Sequence, residues 1–149
     1  PRALTHLEGF APKVNPANAA LLAVRELDPG ERRLLRNLGV RCFTMKDLDA
    51  RGLRACLQEA LEAACRGTEG FHVSFDMDAV DPTAAPGVGT PVKGGLSYRE
   101  AHLAMELVAD SGALLGFELT EVNPVLDRMN ETAVLAAELI SSALGKKIL

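Results

Sequence analysis

Ser74-Phe75-Asp76-Met77-Asp78-Ala79-Val80-Asp81-Pro82 is the stretch on which the reading of this chain turns. Phe71 to Phe75 has the alternation of a short strand, and it runs directly into two acids two positions apart. In extended backbone, residues i and i+2 point to the same side, roughly 6.5–7 Å apart at Cα. Carboxylates placed in this way can share hard divalent cations held about 3.5–4 Å from one another. Carboxylate oxygen favours Mg, Ca or Mn over thiophilic metals. The competing reading is a pair of turn-forming or helix-capping acids ahead of Asp81-Pro82.

Outward from this stretch the chain alternates strands and helices. Upstream, the apolar run from Ala19 to Val24 suits a buried parallel strand. Asp28-Pro29-Gly30-Glu31 then has the form of a helix start, with Gly39 closing the helix. Val40 to Met45 is a second strand. A single amphipathic helix is predicted from Asp47 to Cys65, with Leu53, Leu57, Ala60, Leu61 and Ala64 on one face and Gly67 as its stop. Downstream, residues 81–95 form a Gly-, Pro- and Thr-rich loop. Ser97-Tyr98-Arg99-Glu100 is a capping box, Leu114 to Leu119 a fourth strand, and Asn130 the predicted cap of a last, largely apolar helix. Residues 1–18 are irregular, with Pro12 and Pro16 as breakers.

Four strand–helix repeats predict an α/β fold, a three-layer α/β/α arrangement around a mostly parallel sheet with right-handed crossovers. Ligands in such sheets sit beyond the carboxyl ends of the strands. Three of the four strand ends carry acids: Glu26 with Asp28, Asp76 with Asp78, and Glu121.

Composition narrows the function classes. A chain of 149 residues, 48% apolar and 24% charged, suits one domain with ample core material. A net charge of −4, one Tyr and no Trp give neither the basic footprint nor the stacking surface of a nucleic-acid binder. No apolar run reaches the ~20 residues of a membrane span, and no signal peptide is seen. Cys42, Cys56 and Cys65 lack paired spacing, which predicts reduced thiols in a cytoplasmic setting. The start, Pro1-Arg2-Ala3, enters a pattern of elements already under way, so a longer protein is expected.

The central stretch, followed by Pro86-Gly87-Val88-Gly89-Thr90-Pro91 and by Gly94-Gly95-Leu96-Ser97-Tyr98-Arg99-Glu100, resembles the signature of the ureohydrolase family. So do Val24-Arg25-Glu26-Leu27-Asp28-Pro29-Gly30-Glu31 upstream and Glu121-Val122-Asn123-Pro124 downstream, and the likeness spans nearly all of residues 19–149 in order. Glu26 stands where Asp is more usual and Ala79-Val80 where Gly-Leu is common; neither removes a ligand. Within the family the chain is most similar to bacterial arginases. The resemblance implies that residues 1–149 are the C-terminal part of a single arginase-like domain.

What the resemblance implies for the site is specific. Asp76 and Asp78 would be ligands of two Mn²⁺ ions. Glu121 would be the catalytic-site acid that binds the substrate guanidinium, a planar group that a carboxylate meets through two parallel hydrogen bonds. Asp28, with Glu31 beside it, would contact the α-amino group of the substrate, although the same two acids also make a good helix cap. Thr90 would lie close to the guanidinium. The implied reaction is hydrolysis of L-arginine to L-ornithine and urea by a hydroxide bridging the two metals, in a cytoplasmic homo-oligomer. Agmatine is the rival substrate, formimidoylglutamate hydrolysis a more distant one. The family's upstream histidine, its Asp-x-His-x-Asp motif and its proton-transfer histidine do not occur in this chain. A catalytically incomplete chain that keeps fold and oligomer contacts is therefore the alternative of a different kind. His72 shares strand parity with Asp76 and Asp78 but lies back from the rim, so it reads as a core histidine. His6 and His102 carry no assigned role.

Overall fold

Three helices begin at a side chain that accepts hydrogen bonds from amides left free in the first turn, and this sets their boundaries. The computed structural model describes residues 2–147; Pro1, on which the expectation of a longer protein partly rests, lies outside them. A short helix, α1 (Arg2–Thr5), and two 3-10 turns precede β1 (Ala20–Val24). Then follow α2 (Pro29–Leu38), β2 (Arg41–Thr44), α3 (Met45–Arg51), α4 (Leu53–Ala64), β3 (Phe71–Asp76), α5 (Tyr98–Asp110), β4 (Leu114–Thr120) and α6 (Glu131–Ala143). Asp28, Thr44 and Ser97 each form a reciprocal capping box, at the starts of α2, α3 and α5.

Two boundaries differ from the predicted ones. The helix expected over Asp47–Cys65 is two, because Gly52 adopts φ 83° and ψ 144° and turns the chain between α3 and α4. Only glycine enters that region without strain. Asn130 does not cap α6 with its side chain; it sits in the left-handed region at φ 62°. Asp127 takes the free amides instead, accepting from Thr132 N at 3.1 Å and Ala133 N at 3.2 Å. Its two oxygens reach over the turn that Met129 and Asn130 make at positive φ.

The strands pair in parallel as predicted, but as two separate ladders. β1 runs beside β2, and β3 beside β4, from Phe71↔Leu114 to Asp76↔Thr120. Among the described residues no ladder joins the pairs. β1 also carries an irregularity between Leu22 and Val24, where buried Ala23 adopts φ 62°. A single core holds the halves together. Cys56, Leu57 and Ala60 of α4, Ala104 and Val108 of α5, and Leu135 and Leu139 of α6 share it with Phe43 of β2 and Phe71 and Phe75 of β3. Burial of that apolar area is the main favourable contribution to folding.

β3 shows which side of its ladder is covered. Phe71 and Phe75 are buried, whereas His72, Ser74 and Asp76, which alternate with them, are exposed. His72 is therefore not the core histidine its position suggested. Its side chain is more than half exposed, with Nε2 3.8 Å from Glu118. Helices cover one face of β3–β4, and the face bearing His72 and Asp76 stands open among the described residues.

Leu139 is fully enclosed at the centre of this core. Leu139→Ala should lower unfolding free energy by about 2–5 kcal/mol in urea denaturation; a loss under about 1 kcal/mol would show that α6 is not packed as described.

Candidate metal and substrate site

Strand β3 ends at Asp76, and the chain enters a 3-10 turn over Met77–Ala79. Met77, fully buried, anchors that turn in the core. The two acids are thus held together by a turn and not by strand alternation. The amide of Asp78 donates to Asp76 Oδ1 at 2.8 Å. The Asp76 residue is exposed overall, yet its carboxyl group is partly withdrawn from water, which pushes its pKa up. The neighbouring Asp78 charge adds to that rise, while the Asp78 amide and the Arg25 guanidinium oppose it.

Asp78 carries the clearest sign of a missing partner. Its Oδ2 accepts from the Thr90 hydroxyl. Its Oδ1 is buried with no hydrogen-bond partner. An unsatisfied buried carboxylate oxygen is costly, and a hard divalent cation would satisfy it. The donor chemistry of Asp76 and Asp78 therefore fits such an ion. By itself the pair would not complete a coordination shell, since among the described residues no group of three or more His, Cys, Asp or Glu is arranged to hold a metal ion.

Glu121 lies just beyond β4 at φ 69°. A non-glycine residue in this region costs on the order of 1–3 kcal/mol and occurs where surrounding structure imposes it. Its Oε2 lies 3.7 Å from where a Cβ on Gly89 would sit, so the carboxylate stands beside the Gly89-Thr90 loop. Asp76, Asp78, Thr90 and Glu121 therefore gather at the carboxyl ends of β3 and β4.

Asp28 and Glu31 are held in a cap at the start of α2. Asp28 Oδ1 accepts from the amides of Gly30 and Glu31, and Glu31 Oε2 accepts from the amide of Asp28. Their capping role is visible, and no described bond carries them to Asp76 or Asp78. A cavity beside α2 is lined by Arg32, Arg36 and Arg41 but by none of Asp76, Asp78, Thr90 or Glu121. α2, which borders it, buries none of its residues. His102, by contrast, is buried on α5, with Nδ1 2.9 Å from Ser142 Oγ. Cys42, Cys56 and Cys65 are free thiols.

Two residues the sequence reading passed over shape the site. Asp81 accepts from the Thr83 hydroxyl at 2.6 Å and amide at 3.0 Å, and from the amides of Gly94 and Gly95 at 2.7 and 3.3 Å. It closes the loop of residues 81–95 onto the turn. Gly95 is required there, since a Cβ would stand 2.6 Å from the Ala79 carbonyl oxygen. An Asp-Pro-Thr sequence opening a loop was the available signal. Arg25 is the other, an arginine directly after an apolar strand. Its guanidinium donates to the carbonyls of Asp78, Ala79 and Val92.

Fold and site together define an α/β protein with a paired-carboxylate centre at the carboxyl ends of parallel strands. The chain belongs to the arginase family, whose model matches residues 7–145. It is 47% identical to the arginase of Bacillus subtilis over 148 residues and 46% identical to that of Brevibacillus brevis over 146. Each match takes in 98% of this chain and 49% of the relative, so the chain spans about half the length of the curated relatives it matches. The crystal structure of Bacillus subtilis arginase superposes on all of this chain and 51% of its own, with a TM-score of 0.95 and 46% identity. The fold is accordingly arginase-like.

The Asp81 carboxyl is held down to about 2, from an ordinary 3.8, first by the Thr83 hydroxyl and then by backbone amides. A depressed acid stabilises the fold fully above its unfolded pKa and loses that contribution as pH falls through the folded value. Between pH 3.8 and about 2 the protein should therefore lose more stability than its Asp81→Asn variant. Parallel thermal melts across that window would refute this by falling at the same rate.

Proposed function

We propose that this chain forms the C-terminal part of a Mn²⁺-dependent ureohydrolase domain that hydrolyses L-arginine to L-ornithine and urea. One observation carries the reading: in a member of the arginase family, Asp78 holds a buried, unpartnered carboxylate oxygen beside Asp76. Asp76 and Asp78 would hold the metal, with Thr90 fixing the second oxygen of Asp78. Two Mn²⁺ ions, when bound, would lower the pKa of water so that a nucleophile is available near neutral pH. The remaining ligands would come from outside this chain.

Glu121 orients the substrate in this reading. Its carboxylate can take two parallel hydrogen bonds from a planar guanidinium, and its imposed backbone conformation aims it toward the Gly89-Thr90 loop. Thr90 would lie close to the same group. Asp28 and Glu31 supply negative charge for an α-amino group; agmatine keeps the corresponding amine and lacks only the α-carboxylate, so the choice of arginine rests on the resemblance to arginases. Identity to bacterial arginases supports the same choice. The free thiols and the family resemblance support a cytoplasmic homo-oligomer. One observation favours a second reading, a catalytically incomplete chain: among the described residues no third ligand joins the carboxylate pair.

Urea release from L-arginine and agmatine by the full-length protein, measured side by side with added Mn²⁺, tests the proposal. Release mainly from arginine is expected; release from agmatine alone would overturn the assignment of arginine as the substrate. Glu121→Gln should lower kcat/KM by roughly 10- to 100-fold, as expected for a lost hydrogen bond to a charged group. In the same samples, Asp78→Asn should abolish the Mn²⁺-dependent rise in melting temperature.

A further inference from the structure

Arg25 directly follows β1, and its guanidinium makes no ion pair with a carboxylate among the described residues; it bonds to backbone carbonyls instead. Nη2 donates to Asp78 O at 2.5 Å and to Val92 O at 2.7 Å, Nε to Val92 O at 3.1 Å, and Nη1 to Ala79 O at 3.3 Å. Two of the carbonyls belong to the turn that carries Asp78, and the third lies two residues past Thr90, whose hydroxyl binds Asp78. The β1–β2 and β3–β4 pairs share no ladder among the described residues, so this fork ties the end of one pair to the end of the other.

We infer that Arg25 is a positioning residue, which holds the Asp78 turn and the Thr90 loop in the register the metal requires. The inference rests on the reading of Asp76 and Asp78 as metal ligands. A planar fork can span three carbonyls at fixed angles, which the compact ammonium of lysine cannot do. Charge and geometry make opposite predictions here. A guanidinium beside a cation site repels the cation, so if its charge were the main effect, removing it would tighten metal binding. If geometry dominates, removing it loosens binding, because Asp78 Oδ1 is no longer held where the ion needs it.

Mn²⁺ affinity of the full-length protein, which supplies the remaining ligands, decides between them. Free Mn²⁺ would be followed by its electron paramagnetic resonance signal during titration of the wild-type protein, Arg25→Lys and Arg25→Ala. Arg25→Lys keeps the charge and loses the fork, and should weaken Mn²⁺ binding by about 10-fold or more while retaining the near-ultraviolet circular dichroism of the wild type. Arg25→Ala should weaken it at least as much. Wild-type affinity in Arg25→Lys, or tighter binding in Arg25→Ala, would overturn the inference while leaving the metal site standing. Loss of the folded spectrum in Arg25→Lys would make Arg25 a residue of the fold and overturn it likewise. If the wild-type protein itself bound no Mn²⁺, the reading of Asp76 and Asp78 would fall first, and this inference with it.

Discussion

Holding Asp76 and Asp78 side by side places two negative charges where partial withdrawal from water already works against the first of them. Much of the surrounding structure serves to keep that arrangement in place. Met77 sinks into the core between them and fixes the turn. The Asp78 amide and the Thr90 hydroxyl each take one carboxylate oxygen. Asp81 gathers four donors and closes the long loop over the turn, with Gly95 giving the backbone room to approach. What these contacts leave unsatisfied is Asp78 Oδ1. A hard divalent cation would satisfy that oxygen, which is the ground for the proposed metal role of the pair.

The scaffold behind the pair is strong on one side and open on the other. Residues of α4, α5 and α6 share one core with the buried phenylalanines of β3, while His72, Ser74 and Asp76 are exposed. The two strand pairs depend on side-chain packing, chiefly through α4, because no backbone ladder spans them among the described residues. Non-directional packing holds elements near one another but does not fix the ends of two strands to within a fraction of an ångström. Directional bonds such as those of Arg25 can do that.

The remaining acids divide by how they are held. Glu121 sits in a backbone conformation that a side-chain residue seldom adopts without a compensating reason. Asp28 and Glu31 satisfy each other and the first turn of α2. An acid whose oxygens already accept amide hydrogens can still attract an ammonium group, since a carboxylate has about four acceptor sites. Capping and substrate contact are compatible at this position, and the cap fixes where the charge is presented.

Local chemistry made much of this protein legible in its residue order. Strand–helix alternation, the capping boxes of Asp28 and Ser97, and the Asp76-Met77-Asp78 spacing all depend on neighbours within a few positions. So did the gathering of acids at the strand ends, once the strands were taken as parallel. Special backbone conformations, a cap from outside the expected position and contacts distant in the chain decided the rest. Gly52 divides a continuous helical pattern through its own backbone freedom, and Asp127 displaces Asn130 as a cap because the chain folds back over it. His72 is exposed because no described element covers its side of β3, a fact that strand parity cannot carry. Arg25 meets carbonyls 53 to 67 residues away. Periodicity and capping encode which backbone each segment adopts; only packing the segments together determines which side chains meet, because that depends on distances between parts of the chain that have no local relation.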